Sequence, residues 1–333
     1  MNPYLAKILR VNKCAVHVKI DFERIAGLAK EMAPQDMQIP SWDFWPFPED
    51  EQFADFIFWA SAINFCFTDF TTGRSYEVEY PQGTINKGAY AMFASFRKAM
   101  DVGVPVLCAE YWETVSLNEF SGLFAGNYTD KTVMQWRHEC LRRNAVILSR
   151  YYDGKVENIF KAGEYRCFNG GGGFVELLGA FPAFSDWAIY DVHGKNPTFL
   201  GFYKKAMLMA MIYQGRALSK NGETLPLLNG QEHLMLPADY RVPQALQHLG
   251  ILKYSEELTE DIARGRFILS GEKREIEIRA QSVHAAHRLI AEINEIRTVR
   301  GLAMVTVLEV DYFLWKMGRT VTGKHHYTKT INY

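Results

Sequence analysis

Phe174-Val-Glu-Leu-Leu-Gly-Ala-Phe-Pro-Ala-Phe-Ser-Asp186 begins as an apolar helix, halts at a proline-containing turn and offers Ser185 or Asp186 as the cap of a second helix. Helix, tight turn, helix is the outline it prescribes. Just before it stand Gly170 to Gly173, four glycines in a row. No Gly-Lys-Ser/Thr follows them, so they read as a flexible turn that permits close backbone approach rather than as a phosphate loop. Just after it, Phe202-Tyr-Lys-Lys-Ala-Met-Leu-Met-Ala-Met-Ile-Tyr213 is an apolar helix with Lys204 and Lys205 near its amino end, where the helix dipole disfavours cations. Either something anionic compensates them or they snorkel to solvent.

Further along, Leu236-Pro-Ala-Asp-Tyr-Arg-Val-Pro-Gln244 sets Asp239 at the mouth of a short helix. Pro243 marks its first turn, and Ala245, Leu246, Leu249, Ile251 and Leu252 give an apolar face that ends near Gly250. A carboxylate at this positive pole is favoured in its ionised form and suits stabilising a cation in a transition state. Asp is also a preferred capping residue, and an N-cap role alone accounts for it. Glu272 to Arg300 is the longest helix by pattern, with Ile276, Val283, Ala286, Ile290, Ile293 and Ile296 on one stripe and Gly301 as terminator. His284 and His287 stand one turn apart on it, but without a third ligand they make no metal site. Val305 to Met317 is another helix, on which Asp311 and Trp315 share a face. The tail Gly323-Lys-His-His-Tyr-Thr-Lys-Thr330 is a cationic cluster, either a frayed end or an anion clamp.

Toward the amino terminus, residues 4–33 end in a helical register, Phe22, Ile25, Ala26, Ala29 and Met32, stopped by Pro34. Gln38 to Pro48 carries three prolines and is an aromatic loop; Trp42, Phe44, Trp45 and Phe47 either pack beneath it or form a stacking wall for a flat ligand. Glu51 to Phe67 starts with helical spacing and becomes apolar on all sides, so it is buried. Asn64 within it needs partners for its amide, from the structure or from a ligand. Ser75 to Tyr80 alternates as a strand of a small surface hairpin. Residues 88–101, 104–125 and 133–150 return to helical patterns; in the last, Trp136, Leu141, Val146 and Ile147 mark the apolar side, and Arg137, Arg142, Arg143 and Arg150 read as a solvated face.

At 48% apolar and 14% aromatic, 333 residues are ample for a large core. Lys plus Arg is 37 against 38 for Asp plus Glu, a balance of −1, so the global charge does not favour gripping nucleic acid or an anionic membrane, and any anion site is local. The five cysteines form no C-x-x-C and no readable disulfide framework. The amino terminus lacks a signal-peptide pattern, and the longest apolar run, Phe53 to Phe67, falls short of the roughly 20 residues a membrane span needs. A soluble, cytoplasmic protein is the expectation.

Four motifs, Ala62-Ile-Asn-Phe-Cys-Phe67, Phe202-Tyr-Lys-Lys-Ala206, Ala238-Asp-Tyr-Arg-Val-Pro243 and His325-His-Tyr-Thr-Lys-Thr330, in this order and near these spacings, resemble the queuosine salvage proteins, the queuosine 5′-phosphate N-glycosylase family. The resemblance covers most of the chain. Thr68 stands where many relatives carry tryptophan and Lys205 where arginine is usual, departures that bear on ligand packing more than on reaction type.

The resemblance implies a mainly α, helix-hairpin-helix DNA-glycosylase-like fold with a small β-hairpin insertion. Residues 176–206 would be the hairpin region, and residues 1–333 one domain of two helical lobes with the ligand cleft between them. It implies hydrolysis of the bond joining the base queuine to ribose 5-phosphate, with no cofactor and no metal. The oxocarbenium character of that transition state is what a fixed anionic Asp239 can stabilise. Lys204 joins it as the second catalytic candidate. Asp311 is the candidate to accept the N–H and amine of a guanine-like edge, Phe65, Tyr240 and Trp315 to stack on the base, and Asn64 to hydrogen-bond it. Lys204, Arg241, His326 and Lys329 are the candidates for phosphate and ribose. Two other classes stay open. A DNA or RNA base glycosylase should show a basic stripe, which this chain lacks, and a non-catalytic binder of modified bases would have no turnover to lose.

Overall fold

The apolar stripe of Glu272–Arg300 forms the helix Lys273–Val299, which buries Ile276, Val283, Ala286 and Ile293 and is the spine of one of two units. The structure, a computed structural model, describes residues 2–191 and 197–333. It is mainly helical, with three two-stranded antiparallel pairs among the described residues. One unit consists of Met1–Pro40, Asp186–Met207 and Gly230–Lys329; the other of Ser41–Ser185, Leu208–Asn229 and Thr330–Tyr333.

In the first unit the long helix packs on Phe22–Met32, whose cap Asp21 accepts the Arg24 N–H and whose residues Ile25, Leu28, Ala29 and Met32 are buried. The long helix also carries charge on its buried side. Glu277 is fully buried, yet its carboxylate accepts the backbone N–H groups of Val16, His17 and Val18 at 2.9, 2.7 and 3.1 Å and the Tyr190 hydroxyl at 2.9 Å. Each oxygen thus has donors, the condition under which an internal carboxylate is tolerated. It fixes the strand Val18–Ile20, which pairs with Leu252–Tyr254 in the register Val18 opposite Tyr254. The last two residues of the apolar face expected after Asp239, Ile251 and Leu252, therefore lie beyond the helix Arg241–His248. That helix packs on Val307–Thr320.

The outline of residues 174–186 holds only in part. A helix forms over Phe174–Leu178, and Glu176 organises the glycine run ahead of it by accepting the N–H groups of Asn169, Gly171 and Gly173 at 2.8, 2.9 and 2.9 Å. The second helix does not start at Asp186. Instead Trp187–Tyr190 is a strand paired with Thr198–Gly201, and the helix resumes at Lys204–Ser219. The reason is the two-residue period of Trp-Ala-Ile-Tyr, which puts Ala188 and Tyr190 inside and Trp187 and Ile189 outside, a pleated pattern no helix reproduces.

In the second unit Asp50–Ala62 is helical and buries Phe53, Phe56, Ile57, Phe58 and Trp59, as its all-round apolarity requires. The hairpin expected after Thr71 pairs Glu77–Glu79 with Ile85–Lys87. The aromatic loop is anchored by Arg216, which donates to the carbonyls of Trp42 and Pro48 at 2.5 and 3.0 Å and to Asp50 at 2.6 Å. Phe47 packs against Phe53, Phe56 and Phe93, while Phe44 and Trp45 are exposed.

The helix Lys131–Tyr152 corrects one expectation. Arg142, Arg143 and Arg150 are solvated, but Arg137 is fully buried. Its guanidinium donates to the carbonyls of Phe65 and Cys66 at 2.9 and 3.3 Å and lies 5.0–5.8 Å from the ring centres of Phe65, Phe67, Tyr76 and Tyr128. Aromatic faces and carbonyl oxygens supply the negative potential here. Arg137→Ala is expected to lower stability by about 3 kcal/mol or more, through lost packing and stranded carbonyls, whereas Arg142→Ala should stay within about 0.5 kcal/mol. Denaturant unfolding of both variants measures the contrast.

Candidate active site

Three ionisable side chains of the first unit lie within electrostatic reach of one another. Asp239 precedes the helix Arg241–His248, and its Oδ1 accepts the N–H groups of Arg241 and Val242 at 2.7 and 3.1 Å. It therefore caps the start of the helix through that one oxygen. Asp311, on Val307–Thr320, is 8% exposed, and its Oδ1 is buried without a hydrogen-bond partner among the described residues. Lys204 begins the helix Lys204–Ser219 and is 3% exposed.

Of the two readings of Lys204 and Lys205, snorkelling is overturned, since both are buried. The alternative, a compensating anion, describes Lys204. Burial pushes its ammonium below the ordinary lysine range, Asp239, Asp311 and Asp186 oppose that shift, and Arg279 adds to it. For Asp311, burial and then the charge of Asp239 hold the carboxyl well above the usual carboxylate range, with Lys204 pulling it partly back. A donor facing Asp311 would therefore favour its charged form against the burial and the neighbouring carboxylate that disfavour it.

The tail is not frayed. The Tyr327 carbonyl accepts the Ile268 N–H at 2.8 Å, and His325 and His326 are both buried. Burial depresses His325 to about 4, and burial with the neighbouring His325 depresses His326 to about 3. Both rings are neutral at pH 7, so they offer an N–H or a lone pair rather than the positive charge expected of this cluster. Tyr240 stacks on His325 with centroids 4.2 Å apart, and the Arg241 guanidinium lies 5.5 Å from the Tyr240 ring while donating to Gln244 at 3.0 Å.

Lys204, Asp239, Tyr240, Arg241, Asp311, Trp315, His326 and Lys329 all fall in this unit. Trp315 stacks on Tyr312 and carries the Arg319 guanidinium 4.9 Å from its ring; Lys329 is half-buried. Asn64 and Phe65 belong to the other unit, where Asn64 is buried and Phe65 is packed in the core beside Arg137. Among the described residues, no group of three His, Cys, Asp or Glu gathers as metal ligands, and His284 meets the Phe22 ring edge-on.

One pairing is not read from the sequence, where Asp186 stands only as a candidate helix cap. Asp186 and Arg279 form a buried bidentate pair at 2.9 and 2.5 Å, and the Asp186 Oδ2 also accepts the Lys204 backbone N–H at 2.9 Å. Glu275, Glu277 and Arg279 are buried on this helix, where charge requires a partner.

A family profile described as queuosine salvage protein matches residues 44–333. The chain is similar to a protein of Sphaerobacter thermophilus named queuosine 5′-phosphate N-glycosylase/hydrolase, with 30% identity over 330 residues, 97% of this chain and 95% of the relative. Relatives bearing the same name in Mus musculus and Schizosaccharomyces pombe are 26% and 25% identical, covering 91% and 97% of this chain and 88% and 90% of their own.

The buried histidines give a pH prediction whose sign is fixed. An unfolded histidine titrates near pH 6.5, whereas folded His326 does so at about 3. Below pH 6.5 the unfolded chain binds a proton that the native state refuses, so stability is lost progressively as pH falls from 6.5 toward 3 and is unaffected above 6.5. His326→Gln should flatten the decline in unfolding free energy between pH 7 and pH 5. Parallel pH profiles for wild type and variant would remove His326 from the account.

Proposed function

The chain belongs to the queuosine salvage protein family, and from that footing we propose that it hydrolyses the N-glycosidic bond of queuosine 5′-monophosphate, releasing queuine and ribose 5-phosphate. What carries the reading is a buried lysine and two carboxyl groups in mutual electrostatic contact, in a chain aligned over nearly its whole length with proteins named for this reaction. In the reaction a water oxygen bonds to C1 of the sugar and the C–N bond breaks with its electron pair going to the base. The water gives up a proton and the departing base gains one, so the process is a net hydrolysis.

Positive charge accumulates on the sugar as the bond lengthens. Asp239 is suited to stabilise it because two backbone N–H groups already hold its Oδ1, so little reorganisation is needed during the reaction. Lys204 brings N–H donors toward the ribose and phosphate, beside Arg241, His326 and Lys329; His326 acts there as a neutral donor. Asp311 recognises the guanine-like edge. Two donors arriving together favour its carboxylate, so base binding should bring the Asp311 carboxyl back down toward the ordinary carboxylate range. Tyr240 and Trp315 complete the base site in this reading.

The finer fold assignment belongs to the same proposal. The helical chain is of the helix-hairpin-helix DNA-glycosylase-like type, with residues 176–206 as its hairpin region; family membership and the helices flanking that region support it. A near-zero net charge supports a mononucleotide over a nucleic-acid substrate, and cysteine spacing without a readable disulfide framework supports a cytoplasmic location. Among the described residues no helix is long and apolar enough to cross a membrane.

Mass spectrometry of the purified protein incubated with queuosine 5′-monophosphate should detect queuine. Asp239→Asn is expected to fold normally and lose at least about two orders of magnitude in turnover. Near-normal turnover would sink the role of Asp239, and ligand binding without turnover in the wild type would make the protein a binder. The monophosphate should be preferred over the nucleoside by at least roughly tenfold in kcat/KM, about 1.4 kcal/mol. Lys329→Ala should shrink that preference while barely affecting nucleoside cleavage; equal slowing of both substrates would place the phosphate contacts elsewhere.

A further inference from the structure

We propose that Asp186 and Arg279 are positioning residues that hold the backbone and the charge surroundings of Lys204, an inference that rests on the role given to Lys204 above. Asp186 touches the entry to that helix three times. Its carbonyl accepts the N–H groups of Phe202 and Tyr203 at 2.9 and 3.0 Å, and its Oδ2 accepts that of Lys204 at 2.9 Å. Between these anchors Tyr203 sits at φ +46°, a left-handed conformation that a bulky residue adopts only where its surroundings over-determine it. Gly201 makes the room, because a Cβ there would stand 2.4 Å from the Tyr203 ring, and Tyr4 meets that ring at 4.7 Å.

Arg279 closes the arrangement. It grips Asp186 through both terminal nitrogens, stacks 4.1 Å over the Phe202 ring and lies 3.6 Å from Glu275. A fully buried ion pair contributes little to stability over an apolar pair of the same volume, so stability alone does not explain it. Strain and a buried ion pair instead converge on residues 202–204. Among the groups that act on the Lys204 charge, Asp239, Asp311 and Asp186 favour the ammonium and Arg279 disfavours it. A small shift of the 202–204 backbone would move the ammonium relative to these groups.

The two residues carry opposite charge, which yields a signature that a merely structural role would not produce. In full-length protein labelled at the lysine ε-carbon, with the Lys204 resonance assigned from Lys204→Arg, an NMR titration reads the ammonium directly. Asp186→Asn should lower the Lys204 titration point, Arg279→Gln should raise it, and Arg279→Lys should leave it near the wild-type position. On queuosine 5′-monophosphate, Asp186→Asn should reduce kcat by at least about tenfold with KM changed less than about threefold. Shifts in the same direction in both neutralising variants, toward free lysine, would mean simple loosening and overturn the proposal, as would unchanged titration and kcat. Should Asp186→Asn fail to fold, the contrast between Arg279→Gln and Arg279→Lys decides alone. A wild type that releases no queuine would defeat the functional reading, while the titrations still decide this one.

Discussion

An ammonium removed from water must be surrounded by opposing charge or give up its proton, and the first unit is arranged around that requirement at Lys204. Asp186, Asp239 and Asp311 come from a strand entrance, a helix mouth and a helix body, and Arg279 from the spine helix. The backbone hydrogen bonds of Asp186 and of Asp239 fix two of the three acids before any ligand arrives. Preorganised charge of this kind is what a reaction passing through a cationic sugar can use, since it need not rearrange as the bond breaks.

The same constraint recurs in the second unit with different answers. Arg216 is neutralised by Asp50 and Asp43 and saturates carbonyls of the aromatic loop, so a segment with too many prolines for a regular ladder is nonetheless held. Arg137 is surrounded by ring faces and carbonyl oxygens, and through them it holds Phe65 and Cys66. The Cys66 thiol in turn meets the Thr330 carbonyl at 3.1 Å, joining the chain's end to the Ala62–Phe67 motif. Buried arginines here organise irregular backbone, because one planar guanidinium satisfies several carbonyls that no strand or helix would pair.

How much was legible in advance follows from the range of the interaction involved. The long helix, the helix after Asp21, the buried helix at Asp50–Ala62 and the 77–87 hairpin were readable because apolar period, capping and turn chemistry act over a few residues. Asp239, Lys204 and Asp311 were nominated from helix-end position, an adverse dipole and a shared helix face, with family resemblance adding their roles. The strand at Trp187 was misread as helix because the tight turn ahead of it suggested a cap, although its own four residues alternate.

By itself, then, the sequence determined a mainly helical chain, its principal helices and a short set of polar residues standing where local rules disfavour them. Only the tertiary structure decided which of those were solvated and which were buried. Arg137 and its neighbour Arg142 lie on the same helix and read alike, yet one is sealed among aromatic rings and the other faces water. Asp186 and Arg279 are 93 residues apart, and nothing short-range couples them until folding brings both out of water together. The upward shift of Asp311 and the downward shifts of His325 and His326 were likewise beyond the sequence, because a pKa follows desolvation and neighbouring charge, and both depend on which distant segments close around the group.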